Sequence, residues 1–430
     1  MELIILDQAN AYEFNDSQYG FVSGRGTCMA AALAHDVIGY TTQNGLAVYA
    51  CSLVPEGAFD NIPQCMLLDK AAGVIPDPLW KLLIPWYRGI TVQIKWNSLI
   101  SKHIHMVKGT KQGGLTSPFL FNLFYEPLVD TLNRSMCGIS INNATYNVFC
   151  YADDLLLMST TTVGLQRLIN TSDTYIKSRG LNFNPSKTNC ITFGKSNLTE
   201  MPTFMLGGSV LGEEPHISYL GITLSKSSDR FVQECIKSCR RAYYALQGVG
   251  LCKGAAPVTS TELWKTMVRP VLTYGLQCVS YSGKCARELE KTQASLIKAF
   301  IGVYKSSRSS PLLGALSIHK IKTSVAVAEM RLLCSLMHNT SKAKLFYSHI
   351  LSELVHGRMY KGNLVNRVKS NCAINNINMF KYIFYKDYST VINKKIKHLE
   401  CTGHTDSIRN LIMNFKQENI YTLNLLLKSF

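Results

Sequence analysis

The chain has 430 residues, 47% hydrophobic and 17% charged, with 45 Lys and Arg against 28 Asp and Glu for a formal net charge of +17. Such a composition excludes intrinsic disorder and fibrous repeats, and the length suits two to four domains of roughly 150 residues. Residues 1–100 hold 5 basic and 9 acidic side chains, whereas residues 301–430 hold 19 basic and 6 acidic, the pattern of a separate basic module that grips phosphates.

The first segment, MELIILDQANAYEF, is apolar and periodic and reads as a helix; Ser23–Thr27 breaks it and Cys28 to Ile38 resumes a helical pattern. Leu46–Leu53 is a short run rich in β-formers, consistent with a buried strand, ended by Pro55 and Gly57. Helices are expected over Gln64–Ala72 and after Pro78, then a hairpin from Thr91–Trp96 and Ile100–Met106 around Asn97-Ser98. A glycine loop, Gly109–Gly114, leads into a helix that starts at Ser117-Pro118 and runs to about Leu132. Strands Asn147–Cys150 and Leu155–Met158 flank Tyr151-Ala152-Asp153-Asp154. A helix over Val163 to Ser178 follows, then strands near Asn189–Phe193, Thr203–Leu206 and Ile217–Leu224, and from Ser227 onward the pattern is almost wholly helical.

The sharpest chemical signal is FCYADDLLLMS, Phe149–Ser159. Two adjacent carboxylates at the tip of an apolar hairpin repel each other, and cations relieve that repulsion; paired divalent ions about 3.5–4 Å apart serve in-line phosphoryl transfer. The second signal is Lys108–Val129, whose glycines at 109, 113 and 114 let backbone approach a planar ligand and whose Lys108 and Lys111 attract phosphate. Other chemistries lack support. There is no Gly-x-Ser-x-Gly elbow and no P-loop. Cys235-x3-Cys239 and Cys401-x2-His404 have no partner pair at zinc spacing. Trp80, Trp86, Trp96 and Trp264 read as packing residues rather than base-stacking platforms.

The chain resembles the reverse transcriptases of non-LTR (LINE-type) retrotransposons, near the jockey-like group. Six blocks carry the resemblance in order: Gln18–Phe21 with Gly24-Arg25; Ala58-Phe59-Asp60; Lys111-Gln112-Gly113 through Ser117-Pro118 and Phe121-Asn122; Tyr151–Asp154; Gly180-Leu181 with Asn184–Thr188; and Tyr219-Leu220-Gly221. The resemblance implies an α+β right-hand polymerase fold: partial fingers over 1–45, an antiparallel-sheet palm over 46–226, a helical thumb and connection over 227–330, and a basic helical C-terminal region over 331–430. It implies RNA-directed DNA synthesis with an RNA template, a DNA primer, dNTPs and two Mg²⁺. Asp153 and Asp154 would hold metal, with Lys187 near the departing pyrophosphate. Phe59, Lys111, Gln112, Gly113 and Tyr151 would bind the nucleotide, and Tyr219, Leu220 and Gly221 the primer.

Two departures shape the expectation. The family pattern Asp-x-x-x-Ala-Phe-Asp aligns with Val54-Pro55-Glu56-Gly57-Ala58-Phe59-Asp60, so the first catalytic Asp is replaced by Val54. Valine has no oxygen for a hard cation. Glu56, two residues on, would share a face with Val54 on a continued strand, displaced by about 6–7 Å. No block resembling Arg-Pro-Ile-Ser lies upstream of Gln18–Phe21, so incomplete fingers are expected. The resulting expectation is a reverse transcriptase domain with impaired catalysis, or alternatively a non-catalytic nucleic-acid-binding remnant. The absence of a secretory leader before 14 cysteines reads as an intracellular chain that is not secreted, with Lys394-Lys395-x-Lys397 open to reading as a nuclear address or a phosphate grip. No apolar run reaches the roughly 18 residues of a membrane span, and no protein partner is deducible.

Overall fold

A computed structural model describes residues 1–9, 11–195, 202–250, 256–374 and 379. The chain divides into two units, one of residues 1–30 and 41–220, the other of residues 31–40 and 221–430. The run Lys394-Lys395-x-Lys397 and the pair Cys401 and His404 lie outside the described residues.

The first unit is built on a four-stranded antiparallel sheet. Its strands are β1 (Val48–Leu53), β2 (Val148–Tyr151), β3 (Asp154–Ser159) and β4 (Asn189–Phe193), in the spatial order β4-β1-β3-β2. Every residue of β1 is buried, as a central strand covered on both faces requires. Behind the sheet lie α1 (Gln64–Ala71), α2 (Ser117–Arg134) and α3 (Thr162–Lys177). Pro118 stands in the first turn of α2, where its missing N–H costs nothing. Leu120, Phe121, Phe124, Leu128 and Leu132 then form one buried stripe at helical spacing. Thr161 caps α3 by accepting a hydrogen bond from the Gly164 N–H at 3.0 Å.

Four local features depart from the sequence reading. The expected Thr91–Met106 hairpin is stepped: Thr91 pairs with His105, but Lys95 pairs with Ile100, so one extra residue sits on the return strand as a bulge. A hairpin absent from the sequence reading joins Ile139–Ile141 to Ala144–Tyr146 through Asn142 and Asn143, both at positive φ (45° and 61°), the conformation of a type I′ turn. The strand expected over Ile217–Leu224 is interrupted, because Leu220 (φ 53°) and Gly221 (φ 72°) are left-handed. Trp96, expected to pack, is 74% exposed, whereas Trp264 is fully buried.

The described part of the second unit is mainly helical, after a short strand at Ile222–Ser225. It contains α4 (Asp229–Gly248), α5 (Gly283–Ile301), α6 (Ile321–Asn339), α7 (Ser341–Val355) and α8 (Leu364–Ile374). Buried Asp36 accepts from the Tyr347 hydroxyl at 3.1 Å and the Leu364 N–H at 2.8 Å. Arg367 pairs with Glu329 at 2.7 Å and donates to the Gln277 carbonyl at 2.8 Å, which satisfies a buried charge. Cys235 and Cys239 are buried in α4, and burial pushes both thiols up to about 12. Both side chains pack into the core of the second unit. Among the described residues, no helix is long and apolar enough to cross a membrane.

Candidate active site

The chemistry-bearing hairpin is β2–β3. Tyr151 pairs with Asp154, leaving Ala152 and Asp153 as the two-residue turn. Ala152 is left-handed (φ 57°) and Asp153 is not, the sign pattern of a type II′ turn, where glycine is the usual first residue. Burial, then the adjacent charge of Asp154, raises the Asp153 carboxyl to about 6. Burial likewise raises Asp154. Both groups resist ionisation in a partly dry place, the condition a bound cation relieves.

Val54 directly follows β1, the strand beside this hairpin. β1 and β3 run antiparallel with Tyr49 opposite Ser159 and Leu53 opposite Leu155. Continuing that register by one residue sets Val54 opposite Asp154. The chain stays extended past β1: the Val54 carbonyl accepts from the Asn184 N–H at 2.9 Å, and the Glu56 N–H donates to the Asn182 carbonyl at 2.9 Å. Pro55 therefore does not end the extended run; it bridges to Phe183, and the turn comes at Gly57 (φ 52°). Glu56 itself is exposed.

The turn is held by a segment to which the sequence reading gave no role. The Cys150 N–H donates to the Ser17 carbonyl at 2.8 Å, and the Tyr19 N–H to the Cys150 carbonyl at 2.7 Å. Buried Gln18 accepts through one oxygen from the N–H groups of Ala152 (3.0 Å) and Gly20 (2.9 Å). A Cβ on Gly20 would fall 2.4 Å from the Ala152 nitrogen, so only glycine fits. Asn122 of α2 donates to the Gly20 carbonyl at 2.7 Å. The only sequence signal for this clamp was that Gln18–Phe21 and Phe121-Asn122 are two of the six matching blocks.

The expected nucleotide residues come together in part. Phe59 stacks on Phe121 with centroids 3.8 Å apart and lies edge-on to Phe21 at 6.2 Å, and Phe21 lies 6.3 Å from Tyr151. The Thr110 N–H donates to the Phe59 carbonyl at 2.8 Å, and Gln112 donates to Asp60 at 2.9 Å, fixing the glycine loop to the Phe59 turn. Gly113 is left-handed (φ 79°). Lys111 sits 4.4 Å over the Trp86 ring and 3.9 Å from Glu2. Lys187 is exposed on a turn organised by Asn184, whose side chain accepts from the Ser186 N–H at 3.0 Å. Tyr219 is buried and its hydroxyl donates to the Phe149 carbonyl at 3.1 Å, so it braces β2, with Leu220 and Gly221 in the turn beyond.

Residues 2–224 match the family described as "Reverse transcriptase (RNA-dependent DNA polymerase)". Over 228 residues the chain is 28% identical to the Pol polyprotein of retrotransposable element R2DM from Drosophila melanogaster, covering 50% of this chain and 21% of the relative. It is 27% identical over 247 residues to an R2 Pol polyprotein from Popillia japonica, covering 54% and 39%. It is 25% identical over 272 residues to the transposon TX1 149 kDa protein of Xenopus laevis, covering 60% and 20%. The chain thus spans well under half the length of these relatives. Among solved structures, apo telomerase from Candida tropicalis aligns at a TM-score of 0.42 and 9% identity over 80% of this chain and 60% of that one, a likeness too weak to carry an argument. The family match covers half the chain: it belongs to the reverse transcriptase (RNA-dependent DNA polymerase) family, with a domain of the non-LTR retrotransposon kind.

That family uses divalent metal ions, and the donor set here can be tested for them. Asp153 and Asp154 supply carboxylate oxygen, the right chemistry for Mg²⁺. The position opposite Asp154 presents only the methyl groups of Val54, and among the described residues no group of three His, Cys, Asp or Glu side chains is placed to hold a metal. Two carboxylates fall short of the donor set of a two-ion site.

Proposed function

We propose that this chain is the reverse transcriptase domain of a non-LTR retrotransposon that retains nucleic-acid and nucleotide contacts but is impaired in nucleotidyl transfer. In this reading residues 46–226 are the palm, with fingers elements in 1–45, a helical thumb and connection in 227–330 and a basic region in 331–430. Asp153 and Asp154 offer oxygen to a single hard cation. Phe59, Gln112, Gly113 and Tyr151 border the incoming nucleotide, Lys111 and Lys187 attract its phosphates, and the Tyr219–Gly221 turn lies against the primer.

The observation that carries impairment is the register setting Val54 opposite Asp154. Without that carboxylate, developing charge on the attacking and leaving oxygens goes uncompensated. The loss of one such interaction costs on the order of 10²–10³ in rate. In this reading Glu56, exposed in the bend after β1, does not supply the missing oxygen. The test is primer extension on an RNA template with dNTPs and Mg²⁺, comparing the chain as it stands with Val54→Asp. The alternative, a binding remnant with no catalysis, is favoured by silence in both together with retained affinity for an RNA–DNA hybrid.

A further inference from the structure

A second surface of the first unit has the chemistry of a ligand site and no part in the arrangement above. A groove of about 710 Å³ runs along α3 against Thr131 of α2, and no Asp or Glu is among the residues that line it. Arg167 lies on α3 and Arg179 just past its C-terminus, twelve residues apart, and both line the groove. Between them Asn170, Thr174 and Ser178 present an amide and hydroxyls. Asp173, on the same helix, is neutralised by Lys177 at 2.7 Å.

Arg179 is fixed before any ligand arrives. Its guanidinium carbon lies 3.4 Å over the Tyr175 ring centroid and 6.0 Å from that of Phe124. One nitrogen, Nη1, donates to the Tyr175 carbonyl at 3.0 Å and the Ser178 hydroxyl at 2.8 Å. The Tyr175 hydroxyl is anchored in turn on the Phe124 carbonyl at 2.6 Å. A guanidinium held flat on a ring loses little freedom on binding, and its plane is a platform for an unstacked base. Two separated cations with hydroxyls and an amide between them suit successive phosphates and sugars of one strand.

We propose that this groove is a binding site for single-stranded nucleic acid, Arg167 and Arg179 each meeting a phosphate. The proposal rests on the reading that the chain handles nucleic acid, but uses none of the residues given a metal, nucleotide or primer role above, although Arg179 directly precedes the Gly180-Leu181 block. The experiment measures binding of a single-stranded oligouridylate about twelve nucleotides long to the full chain by fluorescence anisotropy across a salt series, with an RNA–DNA hybrid in parallel. Two phosphate contacts to a single strand contribute about 1.4 to the slope of log K against log salt, or about 25-fold in affinity at 0.1 M. The Arg167→Ala/Arg179→Ala double variant should lose that increment for the oligouridylate, stay folded and keep its affinity for the hybrid. Arg167→Lys/Arg179→Lys should retain most of the slope, because charge rather than fork geometry sets it. An unchanged slope in the alanine variant would overturn the site. So would equal loss of hybrid affinity, which would make the groove part of the primary track. Displacement of RNA by polyglutamate as readily as by polyuridylate would instead assign the groove to acidic peptides and also overturn it. Failure of the unaltered chain to bind hybrid would count against the functional reading alone.

Discussion

Replacing Gln18 by Ala tests whether the clamp, rather than the hairpin's own sequence, holds the two aspartates in place. The Gln18 oxygen accepts from the N–H groups of Ala152 at 3.0 Å and Gly20 at 2.9 Å, and the side chain is fully buried. Truncation leaves two buried donors without an acceptor, each costing about 1–3 kcal/mol. A loss of roughly 2–6 kcal/mol follows, before any relaxation of Ala152 away from its left-handed φ of 57°. Urea unfolding of the full chain measures the total, and hydrogen exchange at the Ala152 amide localises it. The amide should pass from protected to rapidly exchanging. A loss below about 1 kcal/mol with the amide still protected would refute the clamp.

Three further outcomes follow from the same geometry. The Asp153 carboxyl is raised to about 6 in the folded chain, above its ordinary value near 4. The folded state therefore holds the extra proton between about pH 4 and 6, and stability falls as pH rises through that window. Asp153→Asn should flatten this dependence, match the parent below pH 4 and exceed it by up to about 3 kcal/mol at pH 7; equal pH profiles in urea unfolding would contradict the cause assigned. Gly20→Ala should cost more than about 2 kcal/mol, because its Cβ meets the Ala152 nitrogen at 2.4 Å. Gly113→Ala has open space and bears only the strain of φ 79°, about 1 kcal/mol, so equal melting temperatures for these two variants would refute the contact.

Much of the site was legible because its residues sit where period and turn chemistry agree. Apolar runs on both sides of Tyr151–Asp154 announced β2 and β3, and Pro118 announced the start of α2. The misses have physical causes. Leu220 and Ala152 take positive φ without being glycine, and propensity assigns neither to that region. The single expected strand over Ile217–Leu224 was broken for this reason. Asn142-Asn143 is a turn signal the sequence reading passed over. The Gln18 clamp stayed hidden because its bonds span 134 residues to Ala152, a distance over which local pattern carries no information. The stepped Thr91–Met106 hairpin turned on one inserted residue, and Trp96 at its exposed tip shows that an aromatic in a short apolar run is not thereby a core residue.

The central claim is that Val54, set by strand register opposite Asp154, is what separates this chain from catalysis. Primer extension on an RNA template, with Mg²⁺ and dNTPs, tests it directly in the parent chain and in Val54→Asp. The account predicts synthesis by Val54→Asp at least 10²-fold above the parent, with Mg²⁺-dependent stabilisation against unfolding larger in the variant. Equal synthesis by both would contradict it, and loss of that synthesis in Glu56→Gln would then show the missing oxygen coming from Glu56.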